Sequence, residues 1–177
     1  DLARTISNQA AIALESARLY QATVSRAEQL STINRASFEI GRSLNPEEIY
    51  TSIHRAASQM MPAESFVIAL LDEEHNDIEG VYLMDPTGRS PNVHLPPGEG
   101  LSGRVISTGE PLLLPDVEKV ENFDGRMYGE SRPRSIVAVP VNMGGKVVGM
   151  LSAQSYSPNV YTEEEQQILS TLANQAA

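Results

Sequence analysis

The chain of 177 residues has 41% hydrophobic and 20% charged side chains, a balance that is ordinary for a globular domain with its own core. Its formal net charge of −10 gives an acidic surface that repels phosphate groups, so we expect neither nucleic acid nor a membrane surface as a direct partner. Because cysteine is absent, the chain has no disulfide, thiolate metal ligand, thiol nucleophile or thioether-linked cofactor, which fits a reducing, cytoplasmic location.

Residues 1–40 contain neither glycine nor proline, and apolar side chains recur there at steps of three and four residues. The pattern predicts a coiled-coil-type helix of roughly 60 Å, too long to bury its whole stripe on one small domain. We expect it to pair with the same helix of a second chain; the alternative is a break near residues 20–28, with the second half packed on its own domain. The predicted dimer seam consists of Ile6, Ala10, Ala13, Ala17, Tyr20, Val24, Ala27, Leu30 and Ile33.

The seam changes register at the three-residue step from Ala27 to Leu30. A shifted register divides the helix into two parts that can pack differently. We expect a conformational signal to pass through this step.

A second helix is predicted to begin after Asn45, a good capping residue, with Pro46 at its first position, and to end before Pro62. Two β-hairpins follow later in the chain, with Gly80 at a bulge in the first and Pro140 at a bulge or unpaired position in the second. Their strands are SFVIALLD (65–72) with IEGVYLMD (78–85), and SIVAVPV (135–141) with KVVGMLSAQS (146–155).

Between the hairpins, residues 86–98 are predicted to be a loop, residues 100–109 a short helix ending at Gly109, and residues 118–134 an irregular polar segment after the short strand PLLLPDV (111–117). The last helix begins at a capping box formed by Thr162 and Glu165. The order of these elements predicts an α+β fold with an antiparallel sheet.

Two nearly identical heptapeptides stand at the two ends of the chain, TISNQAA (5–11) and TLANQAA (171–177). The repeat predicts that residues 1–25 are a helix continuing from an upstream copy of the same unit, and that residues 26–177 form one domain with its own exit helix over 161–177. The alternative is that helices rich in Ala, Leu and Gln look alike by composition.

Several segments resemble the GAF domain family in order and at the expected spacing. They are SLNPEEIYTSI (43–53), LPPGEGLSGRVISTGEPLLLPDV (95–117), the second hairpin (135–155) and YTEEEQQILSTLANQAA (161–177). The resemblance implies an antiparallel sheet with helices on one face and a small-molecule cavity on the other, covered by loops that include residues 116–134. Many members stand in tandem arrays of signalling proteins, such as the sensor histidine kinases of two-component systems.

The segment over 118–134 combines aromatic and arginine side chains that can stack on and clamp a planar or anionic ligand. The alternative is ordinary surface packing. With the resemblance, the predicted pocket residues are Met84, His94, Phe123, Arg126, Tyr128 and Val137. His94 is a candidate haem or metal ligand, but the simpler interpretation is an ordinary loop histidine.

Other motifs predict no cofactor that we can name. GEGLSG (98–103) satisfies the dinucleotide-binding pattern, but no strand directly precedes it, so its glycines favour a tight turn and close packing. No two histidines have the spacing of metal ligands, and we predict no metal site. ENFDG (121–125) matches the Asn-Lys-Phe-Asp-Glu motif of cyclic-nucleotide-binding members only in part, which argues against that ligand, and without cysteine no bilin can be attached covalently.

We predict no catalytic residue, because the acidic clusters occupy turns and helix starts and no nucleophile motif is present. Some GAF relatives reduce methionine sulfoxide, but that resemblance relies on cysteines. The resemblance instead implies a sensory or regulatory module of a larger signal-transduction protein, which relays a ligand or an upstream state through dimerising helices. The alternative is a ligand-free structural spacer and dimerisation module.

Overall fold

A computed structural model of the protein describes residues 2–40, 45–120, 123 and 132–176, and describes the side-chain environment for residues 9, 11–32, 45–120, 123 and 132–175. The helices are α1 (Leu2–Ile40), α2 (Pro46–Met60), α3 (Gly100–Thr108) and α4 (Glu163–Ala176). The strands are β1 (Ser65–Asp72), β2 (Asp77–Asp85), β3 (Gly88–Ser90), β4 (Val93–Leu95), β5 (Leu112–Leu114), β6 (Ser135–Met143) and β7 (Lys146–Ser155). A 3₁₀ turn covers Val117–Lys119.

The strands form one antiparallel sheet in the order β3-β2-β1-β7-β6-β5, and β4 pairs with the same strand, β2, that carries β3. Both predicted hairpins are confirmed. The prediction that residues 86–98 are only a loop is wrong, because β3 and β4 lie within them. These two strands have three residues each and no alternation of apolar and polar side chains long enough to be recognised, so pairing with the edge of β2 decides their structure.

The bulge predicted at Gly80 lies one residue away. The register between β1 and β2 shifts between Ile68 and Ala69, which leaves Val81 as the extra residue. Glycine at position 80 has a packing role, since a Cβ there would lie 2.9 Å from Cγ2 of Val93 on β4. Pro140 lies in β6 beyond Ala138, the last residue of that strand that pairs with β5.

The predicted helix ends are confirmed by their hydrogen bonds. The side chain of Asn45 accepts from the backbone N–H of Glu47 at 3.1 Å, and Pro46 is the first residue of α2. At α4, the N–H of Thr162 donates to Glu165 Oε2 at 2.7 Å, as in a capping box, and Thr162 Oγ1 caps the helix by accepting from the N–H of Glu164 at 3.2 Å. Gly109 ends α3 with φ at 68°.

Helices α2 and α4 cover one face of the sheet and form the largest hydrophobic cluster with it. Alternate residues of each strand point to this face, as the pleat dictates. The fully buried centre of the cluster consists of Ala57, Phe66, Val137, Val139, Ala153, Leu169, Leu172 and Ala173. The apolar stripe of α4 is therefore used within its own domain.

Helix α1 is unbroken from Leu2 to Ile40, so the alternative of a break near residues 20–28 is wrong. Its second half nevertheless packs on its own domain, against α2 and α4, and Gln29 Nε2 lies 3.4 Å from Glu164 Oε1. Its first half has large apolar side chains in solvent, among them Leu14 with 68% and Tyr20 with 73% of their surface exposed. In the single chain, no described strand or helix packs closely enough on this half of α1 to bury these side chains.

The predicted dimer seam lies on this helix. In the single chain Ala13, Ala17, Tyr20, Val24, Ala27 and Leu30 are exposed. The side chains of Ile6, Ala10 and Ile33 lie outside the described part of the chain. Within the described residues, no helix is both long and apolar enough to cross a membrane.

Candidate functional site

The sheet face away from α2 and α4 is covered by α3, and β4 extends that face at the edge of β2. Side chains of the same strands point alternately to this face, where Val67, Ala138 and Met150 meet Val105 of α3 and Leu95 of β4. The face is therefore apolar at one end of the strands, where the short helix seals it.

The glycines of GEGLSG bring α3 close to the chain that precedes it. A Cβ on Gly103 would lie 2.4 Å from the carbonyl carbon of Gly98, so any other residue would displace the turn or the helix. Gly98 and Gly100 have φ of 84° and 64°, in the left-handed region that favours glycine. This geometry agrees with the prediction of a tight turn and close packing.

Polar side chains interrupt this face further along β7. Ser152 is fully buried, lies opposite both Val67 and Ala138, and accepts a hydrogen bond of 3.4 Å from the side chain of Gln154. Gln154 lies opposite Ile136, which belongs to a second apolar cluster with Leu114 and Val117. Hydroxyl and amide groups placed between two apolar clusters suit a ligand with a polar group and an apolar body.

The segment from residue 117 to residue 134 starts and ends at a salt bridge beside this face. Arg134 Nε and Nη2 lie 3.1 and 3.0 Å from the two carboxylate oxygens of Asp116, whose side chain is 6% exposed. The N–H of Val117 donates to the carbonyl of Arg134 at 2.7 Å, and the N–H of Arg134 donates to the carbonyl of Ser155 at 2.8 Å. Both ends of the segment are thus anchored to the sheet.

The guanidinium of Arg134 holds the pKa of the Asp116 carboxyl below its ordinary value, and the carboxylate in turn raises the pKa of Arg134. Bidentate pairing with a charged guanidinium favours the ionised acid. Both members of the pair, Asp116 and Arg134, are therefore charged at neutral pH.

The predicted pocket residues do not all meet. Val137 is fully buried, and Met84 is half-buried, both in the cluster beneath α2 and α4. Phe123 packs against the cluster of Leu114, Val117 and Ile136, and the guanidinium of Arg132 lies 5.1 Å from the centre of its ring. Phe123 is therefore on the opposite face of the sheet from Val137.

His94 lies on β4 with 58% of its side chain exposed, and its Nδ1 is 2.9 Å from Asp77 Oδ2. Arg126 and Tyr128 lie outside the described residues. Among the residues that are described, no group of three or more His, Asp or Glu side chains is arranged to hold a metal ion.

Sequence reasoning missed two polar groups, the buried carboxylate of Asp116 and the half-buried ring of His54. Asp116 follows the short strand β5 and carries no motif, but it precedes a helical turn and caps it, which is a detectable signal. The polar side chain of His54 predicts a place on the polar flank of its helix, and this prediction is wrong. Its position, four residues after Tyr50 and three before Ala57, belongs to the apolar stripe of α2.

The His54 ring stacks on Phe66 with centroids 4.8 Å apart. Its Nδ1 lies 3.0 Å from the hydroxyl of Tyr82 and its Nε2 lies 3.3 Å from the carbonyl of Ala63. Because that carbonyl can only accept, Nε2 donates the hydrogen and Nδ1 accepts from Tyr82. Burial lowers the pKa of His54, since the charged form loses hydration there.

Comparison with known proteins places this fold in a family, because the family model of the GAF domain matches residues 43–177. The chain belongs to the GAF domain family. A solved GAF domain, that of an Acinetobacter phosphoenolpyruvate-protein phosphotransferase, superposes with a TM-score of 0.72 at 29% identity over 84% of this chain and 90% of that one.

Curated relatives of this GAF domain include a regulator and an enzyme. The Nif-specific regulatory protein of Azospirillum lipoferum is 26% identical in an alignment of 157 residues that covers 82% of this chain and 24% of that protein. The free methionine-R-sulfoxide reductase of Escherichia coli (strain K12) is 25% identical in an alignment of 149 residues that covers 75% of this chain and 88% of the reductase. The chain thus spans about a quarter of the regulator that it matches.

Proposed function

We propose that this GAF domain is a non-catalytic sensory module that forms homodimers in a larger cytoplasmic signal-transduction protein. The observation that carries the proposal is the division of α1. Its first half has apolar side chains in solvent, and its second half lies on the helices that cover the sheet. A change at the sheet therefore has a physical route to the exposed half.

The two halves meet at the predicted register step. Arg26, Gln29 and Leu30 line a groove of about 220 Å³ with Gln167 and Ile168 of α4 and the neighbouring Thr171. The seam thus shifts where α1 begins to contact its own domain. A helix that changes partner at one point can switch between two packing arrangements whose free energies differ by about a few kcal/mol. Such a switch is what the relay of a signal between domains requires.

The input that we propose is a small molecule bound on the sheet face that carries Ser152 and Gln154, beside the salt bridge between Asp116 and Arg134. The relative named as a regulator supports a regulatory role. From the repeated heptapeptide and the resemblance of the sequence to GAF domains of signalling proteins, we further propose that the parent protein is a sensor of the histidine kinase type, with further GAF units in tandem. The alternative is a ligand-free spacer; its support is that the apolar side chains of α3 already cover part of that face.

Where no redox cofactor is bound, a protein reduces a sulfoxide through a cysteine thiolate, which attacks the sulfoxide sulfur and is oxidised to a disulfide in the process. The chain has no cysteine. We therefore propose that resemblance to the sulfoxide reductase reflects a common fold without that reaction. Assay of free methionine sulfoxide reduction with and without added dithiol is the check; turnover that depends on the protein would overturn this part.

The dimer is tested by sedimentation of the 177-residue chain. We expect a dimer that Tyr20→Glu dissociates, because a charge in the seam loses its hydration on pairing. The matched control is Ala22→Glu, exposed on the other side of α1, which should remain dimeric. A wild-type monomer, or equal loss in both variants, would contradict the proposal.

Ligand binding is tested separately by native mass spectrometry of the purified chain and by thermal-shift screening. Asp116→Asn together with Arg134→Gln should remove a ligand-dependent shift while leaving the dimer intact. If no compound shifts the melting temperature and no copurified molecule is found, the spacer alternative is supported.

A further inference from the structure

A second recess lies at the end of the sheet where both long hairpins turn. It is an open groove of about 730 Å³ between the β1–β2 turn and the β6–β7 turn. Its apolar surface is provided by Leu70, Leu71, Val141, Met143 and Val148. Met143 is 56% exposed, so this surface meets solvent in the single chain.

The rim of the groove is acidic. Asp72, Glu73 and Glu79 contribute carboxylates, against a single cation, Lys146. Hydrogen bonds from His75 lower the pKa of Asp72, so this acid stays ionised, and Nδ1 of His75 is 2.7 Å from Asp72 Oδ2. Glu73 forms no ion pair with any other described residue.

We propose that this groove docks a cationic amphipathic helix of a partner protein. The apolar surface matches side chains repeated at i, i+3, i+4 and i+7 on one face of such a helix, and the carboxylate rim matches lysine or arginine on its flanks. An anionic ligand is disfavoured by the same rim. The proposal does not depend on the sensory role or on the dimer.

The open shape selects a helix over a small molecule. The volume of the groove is within the roughly 300–1,000 Å³ of ligand pockets, but those pockets enclose most of their ligand. A groove open along one side buries one face of its occupant and leaves the rest in solvent, as in helix-in-groove recognition.

Charge also selects a partner other than a second copy. Each copy carries −10, and residues 45–177 hold eight basic and nineteen acidic side chains. The first half of α1 has exposed apolar side chains, but over residues 1–20 the acids Asp1 and Glu15 balance the arginines Arg4 and Arg18. A copy therefore brings no excess positive charge to the rim.

The test uses a fluorescein-labelled synthetic 14-residue peptide of leucine and lysine with leucine at i, i+3, i+4 and i+7, titrated with the 177-residue chain by fluorescence anisotropy. We expect saturable binding that weakens as salt rises, because exposed charges are screened. A peptide of the same composition with leucine spread around the helix should bind about tenfold more weakly or worse.

Variants locate the site. Glu73→Lys should weaken binding about three- to tenfold, and Met143→Ser should weaken it about fivefold through lost apolar contact. The matched control is Glu64→Lys, an exposed glutamate beside the opposite end of β1, which should bind as the wild type does. Amide shifts of labelled protein should change at residues 70–79 and 141–148.

Equal loss in Glu64→Lys, or equal binding of the peptide with spread leucines, would mean attraction by net charge alone and would overturn the proposal. So would amide shifts elsewhere. Self-association that persists in Tyr20→Glu but disappears in Glu73→Lys would overturn it in favour of a second copy in the groove.

Discussion

The two faces of the sheet differ in how they are filled. The face beneath α2 and α4 is one continuous apolar cluster, whose members Phe66, Leu169 and Leu172 are fully buried. The other face is divided into two smaller clusters, with Ser152 and Gln154 between them. A continuous cluster contributes most to stability, whereas a divided one leaves room for polar contacts. The difference separates the structural side of the domain from the side on which we place the ligand.

Truncation in the continuous cluster should have the largest effect. Leu172→Ala removes a fully buried side chain and is expected to lower the free energy of unfolding by about 2–5 kcal/mol. Urea unfolding followed by circular dichroism measures it. Because α4 packs on α1, the same variant should also weaken the dimer; full stability would show that the helix layer is dispensable.

The divided face can be disturbed without that layer. Gly103→Ala places a Cβ against Gly98 and is expected to cost about 1–3 kcal/mol by displacing α3. Gly144→Ala, in the turn after β6, is the control: φ there is 59°, which strains the residue, but no atom lies within 4 Å of the added Cβ. Loss of ligand binding in the first variant alone, with the dimer kept, would sharpen the separation of the two faces.

Loss of the α4 cap should have a smaller effect on the structural side. Thr162→Ala removes the acceptor for the N–H of Glu164 and the hydroxyl bonded to Glu165. The expected loss is about 1 kcal/mol, seen as a lower urea midpoint with an unchanged slope. Thr162→Ser, which keeps the hydroxyl, should restore most of it, and a failure to do so would point to lost methyl packing.

The smallest effect is a pH dependence from His54. Its folded-state pKa is below the unfolded value of 6.5, so folding favours the neutral ring. The stability is therefore complete above about pH 6.5 and declines as pH falls towards the folded-state pKa. The free energy of unfolding is measured at neutral pH and near pH 5, and we expect it to fall less over this range in His54→Gln than in the wild type. An equal fall in both proteins would assign the pH dependence to the carboxylates.

Much of the fold was predictable because it is written in local patterns. The caps at Asn45 and Thr162 and the turn at Gly109 lie in short segments whose chemistry needs no distant partner. The hairpins follow from apolar runs on either side of turn residues. The short strands β3 and β4 have no such pattern, and only the edge of β2 creates them.

The site was less predictable, for a reason visible in β6. Ile136, Val137, Ala138 and Val139 are all apolar and all buried, so alternation does not reveal which residues face the helices. Val137 was therefore predicted to line the pocket, whereas its side chain points to the face beneath α2 and α4. The prediction for His54 was wrong for a different reason. Its position falls in the apolar stripe of α2 although its side chain is polar, and the prediction gave residue type more weight than position.

The sequence by itself determined the family, the antiparallel α+β order of elements and the helical repeat of α1, since these depend on spacing along the chain. Only the tertiary structure decided which face each strand residue takes, that Asp116 meets Arg134, and that α1 divides at Gln29 where it reaches α4. These contacts join residues far apart in sequence, and their geometry exists only after the strands have paired and the helices have packed on the sheet.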